Sequence, residues 1–234
     1  MKALVVGGSG SIGQAIVENL LDDGFEVILT YHRTALTDLQ DTFKDAPVQF
    51  LQIDLTQQLD CNKQFEHISN VDVLIYVSGH SLYGMLQDMI DKDIDDMYRV
   101  HVYHLIKVSQ YFLNQLIQSP NGRIIVISSI WGETGASFET IYSTMKAAQI
   151  GFVKALSEEV AFTPLTVNAI APGIVEGRMT NELDEADIRA VLDTIPQQRL
   201  VHVEEVAHAC RYLISPYAKS VTGTVQRING GWHR

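Results

Sequence analysis

Residues 2–22 constrain this chain more than any other stretch. Lys2–Val6 (KALVV) is a short apolar run that reads as a buried strand. Residues 7–13 (GGSGSIG) follow at once, and then Gln14–Asp22 (QAIVENLLD) carries apolar residues at helical spacing. A strand that turns through glycine directly into a helix is the context of a dinucleotide fingerprint, and Gly8, Gly10 and Gly13 fit G-x-G-x-x-G there. Glycine allows the tight turn and lets backbone approach a pyrophosphate, while the helix start offers free N–H groups and a positive dipole end. This segment is therefore expected to hold a dinucleotide.

The second informative group lies downstream. Tyr142 and Lys146 are four residues apart, and Ser129 precedes the tyrosine by thirteen. Positions four apart share a helix face. An ammonium one turn from a phenol is expected to lower the phenol's pKa. The phenol can then give a proton to a carbonyl oxygen or take one from an alcohol, and a serine hydroxyl can hold the same oxygen. Such a trio needs a hydride donor, so it gains meaning from the nucleotide site at the other end of the chain.

The second strand suggests which nicotinamide that donor carries. NAD sites usually place Asp or Glu at the end of this strand, on the ribose hydroxyls. Here Phe25–Thr30 (FEVILT) runs into Tyr31, His32 and Arg33, with a cation and no acid. A guanidinium fork suits a 2′-phosphate, so NADP(H) is expected over NAD(H).

Strands and helices alternate to the end. Val48–Ile53 reads as the third strand with Asp54 at its tip, followed by Val71–Val77, Arg123–Ser128, Leu165–Ile170 and Thr224–Ile228. Lys92–Gln118 reads as one long helix, Thr140–Phe162 as another, and Val203–Leu213 as a third opened by Glu204 and Glu205, which suit the positive dipole end. The acidic run Asp91–Asp96 is expected to be a solvated helix start. Apolar strands bridged by helices imply a parallel sheet covered on both faces. No repeat, low-complexity tract or linker interrupts the pattern. The expected fold is a single α/β domain over residues 1–234, Rossmann-type and doubly wound, with a seven-stranded parallel sheet. Ser78-Gly79, Ser129 and Pro172-Gly173 each follow a strand, so all fall on the carboxyl edge where open α/β sheets bind ligands.

Charge and cysteine usage bear on partners. A net charge of −11 argues against nucleic acid and anionic membrane, and against an acidic protein unless basic residues cluster. Cys61 and Cys210 match no metal or CxxC spacing, so no metal is expected and both read as reduced thiols of a cytoplasmic protein. The first strand begins at Lys2, which leaves no room for a signal peptide, and no apolar run reaches the ~18 residues of a membrane span.

Taken together, the glycine loop from Gly7, Asp54-Leu55, Ser129, Tyr142 to Lys146 (YSTMK), Asn168 to Gly173 (NAIAPG) and Asn229 to Gly231 (NGG) resemble the short-chain dehydrogenase/reductase family across nearly the whole chain. Ile195-Pro196, Arg199-Leu200, Glu204 to Ala207 (EEVA) and Val221 to Gly223 (VTG) resemble the bacterial 3-oxoacyl-[acyl-carrier-protein] reductases. The resemblance implies hydride delivery from a nicotinamide to a carbonyl carbon, with Tyr142 as acid, Ser129 as oxygen anchor and Lys146 as tuning charge and ribose ligand. It implies cofactor contacts at Gly7, Ser9, Gly10, Ser11, Ile12, Gly13, His32, Arg33, Asp54, Leu55, Ser78, Gly79, Tyr142, Lys146, Pro172, Gly173 and Val175. It also implies a homo-oligomer, a tetramer or dimer, with Asn229 to Gly231 and the long helices at its interfaces.

Four positions depart from the family pattern. Ser11 stands for the middle loop glycine, where it can cap the helix or meet phosphate. Tyr76-Val77-Ser78-Gly79 stands for Asn-Asn-Ala-Gly, so the asparagine braces of that turn are missing. His101 stands for the asparagine of the family's proton relay; it can pass a proton through water or simply fill space. Gly177 stands for the threonine that grips the carboxamide, with Thr180 three residues on. The arginines that dock an acidic carrier align with Pro120 and Thr163, leaving Arg123, Lys107 and Lys154 as substitutes. The loop from His80 to Met89 and the segment from Glu176 to Asp193 are expected to cover the substrate. Tyr83, Met85, Leu86, Met179 and Leu183 are either its apolar lining or ordinary core. The leading expectation is an NADPH-dependent reductase of 3-oxoacyl thioesters, carrier-bound or not. The alternatives are a reductase of another small ketone or a pterin, and a catalytically weakened NADPH-binding sensor or assembly protein.

Overall fold

The computed structural model describes residues 1–177, 180 and 185–233, without the side chains of residues 185–187; Met179 and Leu183 lie outside the described residues. The strands are β1 (Lys2–Val6), β2 (Glu26–Tyr31), β3 (Val48–Gln52), β4 (Val73–Tyr76), β5 (Arg123–Ile127), β6 (Thr166–Pro172) and β7 (Val225–Ile228). They form one sheet in the order β3-β2-β1-β4-β5-β6-β7, and every pairing is parallel. The order reverses between β1 and β4, which opens a crevice at their carboxyl ends.

The period of two along β1 assigns its residues to two cores. Ala3 and Val5 point to a layer built by α1 (Ser11–Asp22) and α9 (Val203–Ile214), through Ile16, Leu20, Val206 and Leu213. Leu4 and Val6 point to the opposite layer, built by α5 (His104–Gln118) and α7 (Thr140–Glu159), through Val108, Phe112, Val153 and Leu156. Burying each of these side chains contributes ~1.5–3 kcal/mol before entropy is counted. No helix among the described residues is long and apolar enough to cross a membrane.

The expected fold class and seven-stranded parallel sheet are present. The strand ends shift by one or two residues, because β2 runs on to Tyr31, β4 covers only Val73–Tyr76, β5 stops at Ile127 and β6 runs on to Pro172. The short elements α2 (Leu36–Thr42), α3 (Cys61–Gln64), α6 (Trp131–Thr134) and α8 (Glu185–Leu192) were too brief for a periodic signal. The larger correction concerns the expected single helix over Lys92–Gln118. It is α4 (Asp91–Tyr98), a π-helical segment (Arg99–Tyr103) and then α5. Apolar spacing alone does not distinguish an α turn from a π turn.

Arg123 is also corrected. It is buried, and its guanidinium donates to the carbonyls of Leu213 (3.2 Å) and Gly122 (2.7 Å) and to Asn121 Oδ1 (2.6 Å). It ties β5 to the end of α9 and is not available to a docking partner. Cys61 and Cys210 are buried, unpaired thiols.

Candidate active site

The glycine loop is built by close backbone approaches. Gly7 has φ +87°, and a Cβ there would lie 2.5 Å from Ser78 Oγ, so the loops after β1 and β4 touch. A Cβ on Gly13 would lie 2.6 Å from the Gly7 carbonyl oxygen. The Gly10 N–H donates to that carbonyl at 3.3 Å, and Gln14 Nε2 donates to the Ser9 carbonyl at 3.0 Å. Gly10 caps α1 without a side-chain hydrogen bond. The loop thus brings Ser9, Gly10, Ser11, Ile12 and Gly13 around a helix start whose first N–H groups have no intrahelical acceptor. That cradle, whose close backbone approaches a side chain at Gly7 or Gly13 would break, fits a diphosphate.

The far end of the crevice carries His32, Arg33, Asp54 and Leu55. Asp54 Oδ1 accepts from the Thr56 N–H (2.9 Å) and hydroxyl (2.7 Å), and Asp54 Oδ2 lies 3.6 Å from His32 Nε2. Partial burial works against the carboxylate, but the Thr56 hydrogen bonds and the His32 and Arg33 charges outweigh it and hold Asp54 below its ordinary pKa. Leu55 is buried, so its side chain belongs to the core and only its backbone can line the site. Arg33 is exposed and makes no hydrogen bond or ion pair among the described residues. A guanidinium at this position with no hydrogen bond or ion pair among the described residues suits an added phosphate.

The loops after β4, β5 and β6 supply the rest. Pro172 ends β6 and accepts from the Ile130 N–H at 3.1 Å, Gly173 donates to the Ile228 carbonyl at 2.9 Å, and Val175 pairs with Val201. Ser129 is buried, accepts from the Trp131 N–H at 3.2 Å, and shares a hydrogen bond with Tyr142. Lys146 lies one turn beyond Tyr142 on α7, with its ammonium 5.6 Å from the phenol ring centre. Lys146 Nζ donates to the Ile127 carbonyl at 2.9 Å, and the Ser128 hydroxyl donates to the Lys146 carbonyl at 2.9 Å. The end of β5 therefore grips the helix that carries both groups.

Electrostatics correct one expectation. Lys146 was expected to pull the Tyr142 pKa down. Burial instead pushes the phenol up to about 12, with the Ser129 hydrogen bond opposing and Glu139 reinforcing the rise. Burial likewise brings Lys146 down to about 7. Both shifts favour the uncharged forms, because desolvation penalises each charge. Tyr142 is thus an intact acid through neutral pH in the ligand-free chain.

Comparison with known proteins identifies the family. A family model described as enoyl-(acyl carrier protein) reductase matches residues 7–233. The Bacillus subtilis oxidoreductase YmfI, described as uncharacterized, is 36% identical over 237 residues, covering 99% of this chain and 98% of that protein. The 3-oxoacyl-[acyl-carrier-protein] reductase FabG of Rickettsia typhi is 34% identical over 230 residues, covering 98% of this chain and 95% of that protein. The solved structure of ElxO with NADP bound superposes with a TM-score of 0.89 at 26% identity, covering 99% of this chain and 98% of that one. This chain is a short-chain dehydrogenase/reductase.

Within that family three of the four departures now have positions. Ser11 begins α1, and a Cβ on Gly177 would lie 2.7 Å from its Oγ, so the loop after β6 rests on the helix start. The Thr180 hydroxyl is engaged with Gly177, 2.9 Å from both its nitrogen and its oxygen. His101 is buried, with its ring edge-on to Tyr142 at 5.7 Å and its Nε2 3.2 Å from the His80 nitrogen. Burial and the Lys146 charge hold His101 well below its ordinary pKa, so it is neutral. His80 itself is exposed.

Of the cover, Tyr83 is 71% and Leu86 56% exposed, and Met85 is exposed as well, so these three are not core. Tyr83 stacks on Phe138 at 5.4 Å, and the Gly84 N–H donates to the Phe138 carbonyl at 2.8 Å. Phe138 was missed in the sequence because nothing in its neighbourhood marks it. Gln149, also missed, had a usable signal: it lies seven residues after Tyr142, on the same helix face.

Proposed function

We propose that this enzyme reduces a carbonyl with NADPH, and that its substrate is a 3-oxoacyl thioester. The observation that carries the reading is the convergence of Ser129, Tyr142 and Lys146 on one rim of the sheet, beside the Gly7–Gly13 cradle. Relatives named as 3-oxoacyl-[acyl-carrier-protein] reductases support the substrate class, and the NADP-bound ElxO structure supports the cofactor. The exposed Arg33 guanidinium, which makes no hydrogen bond or ion pair among the described residues, favours the 2′-phosphorylated form.

The cofactor, when bound, supplies the hydride. Ser129 holds the carbonyl oxygen by its hydroxyl, and Tyr142 gives its phenolic proton to that oxygen as negative charge develops. A phenol that stays protonated through neutral pH suits the reducing direction. Lys146, anchored to the Ile127 carbonyl, keeps a proton donor beside the phenol and the ribose position. Two buried, unpaired cysteines suit a reducing compartment, so the cytoplasm is the proposed location. Exposed apolar residues such as Ile106 on α5 are consistent with a homo-oligomer.

The test is NADPH oxidation with acetoacetyl thioesters carried on pantetheine, coenzyme A and acyl carrier protein. Turnover of at least one supports the substrate class. Turnover of other ketones or pterins alone would overturn it. Tight NADPH binding without turnover of any carbonyl would identify the sensor or assembly protein instead.

A further inference from the structure

The π segment Arg99–Tyr103 has three consecutive carbonyls that accept side-chain hydrogen bonds. The Arg99 carbonyl accepts from His104 Nδ1 at 3.0 Å, the Val100 carbonyl from the Tyr76 hydroxyl at 2.5 Å, and the His101 carbonyl from Gln149 Nε2 at 2.9 Å. Tyr76, Gln149 and His104 are all fully buried. A carbonyl only accepts, so these contacts fix the orientation of the Gln149 amide and place a proton on His104 Nδ1. A π turn misplaces its carbonyls relative to the next turn's N–H groups, and here side chains of β4, α5 and α7 meet them.

The supports lead to the reacting groups. Gln149 lies on the α7 face of Tyr142 and Lys146, three residues beyond the lysine. Its bond to the His101 carbonyl ties that face to the π segment. His101, so held, lays its ring edge-on to Tyr142 and its Nε2 against the His80 main chain, 3.2 Å from the nitrogen and 3.0 Å from the oxygen. The turn after β4 leaves room for it: a Cβ on Gly79 would lie 2.6 Å from His101 Cε1. The turn that lacks asparagine braces is thus braced by the imidazole from outside.

We propose that Tyr76 and Gln149 are positioning residues for the reduction. Acting through the π segment, they set His101 against Tyr142 and thereby fix the phenol in its proton-donating place. This rests on the reading of Tyr142 as the acid.

The experiment compares full-length wild type with Tyr76→Phe and Gln149→Met, each of which removes one donor at nearly constant volume. We expect each to lower kcat about 10-fold, the scale of one lost hydrogen bond, with KM for NADPH changed less than about twofold. The double variant should lose much less than the product of the two single losses, because both act on one segment. The Tyr142 Cζ resonance, assigned by its absence from Tyr142→Phe, should shift in both single variants, and amides of residues 99–103 should exchange faster.

Unchanged kcat and an unmoved Tyr142 resonance in folded variants, with only a lower melting temperature, would overturn the proposal. If Gln149→Met does not fold, Tyr76→Phe decides the same question by the loss of a single oxygen. If the wild type reduces no carbonyl, the functional reading fails separately. The Tyr142 resonance then judges the brace, supporting it if moved and overturning it if still.

Discussion

The two ends of the crevice are built on different physics. At the nucleotide end, from Gly7 to Arg33, most of the structure follows from local chemistry: a glycine with positive φ, a Gly13 whose Cβ would strike the Gly7 and Gly8 backbone, a helix start, and a cation after a strand. At the catalytic end, from Tyr76 to His104 and across to Gln149, residues far apart in sequence complete one another's hydrogen bonds. The first region was read correctly element by element. In the second, residues 92–118 were read as an uninterrupted helix, with His101 either a proton relay or a space filler. Neighbours along the chain decide a glycine turn, whereas the acceptors of a π segment are decided by whichever side chains the fold brings there.

The largest test separates the two ends. Tyr142→Phe should lower turnover by about two orders of magnitude or more while NADPH binding, followed by fluorescence titration, stays unchanged. Loss of both together would mean that the ends are not independent. A smaller effect is expected from Arg33→Ala. It should raise KM for NADPH about 10-fold, the scale of a charge-assisted phosphate contact, and leave KM for NADH nearly as it was. An equal change for both cofactors would remove the guanidinium from the phosphate-reading role.

The smallest effect is one of pH. In the ligand-free chain Lys146 has a pKa of about 7 against an ordinary value of 10.5. Between those values the unfolded chain keeps a proton that the folded chain has released, so this group makes stability rise with pH through the window. Thermal melts from about pH 7 to 9 should show wild type gaining on Lys146→Met as pH rises. A constant difference across the series would show that burial does not shift this amine.

Much of the site was legible because its residues carry chemistry at fixed spacing. Ser129, Tyr142 and Lys146 are found together where they were expected. The sign of the Tyr142 shift was not legible, since the expectation weighed the nearby ammonium and not the desolvation of both groups. Arg123 read as a surface cation because a charge in a strand gives no sign of the carbonyls that bury it.

By itself the sequence determined the strand–helix alternation, the glycine cradle, the cation after β2 and the grouping of Ser129, Tyr142 and Lys146. Each depends on backbone freedom or side-chain chemistry that a residue brings wherever it sits. Only the tertiary structure decided that the helix bearing His101 passes through a π turn, that Tyr76 and Gln149 hydrogen-bond to it, and that burial works against the charged forms of both Tyr142 and Lys146. Burial and hydrogen-bond completion are properties of neighbours, and here the neighbours come from strands and helices that meet only after folding.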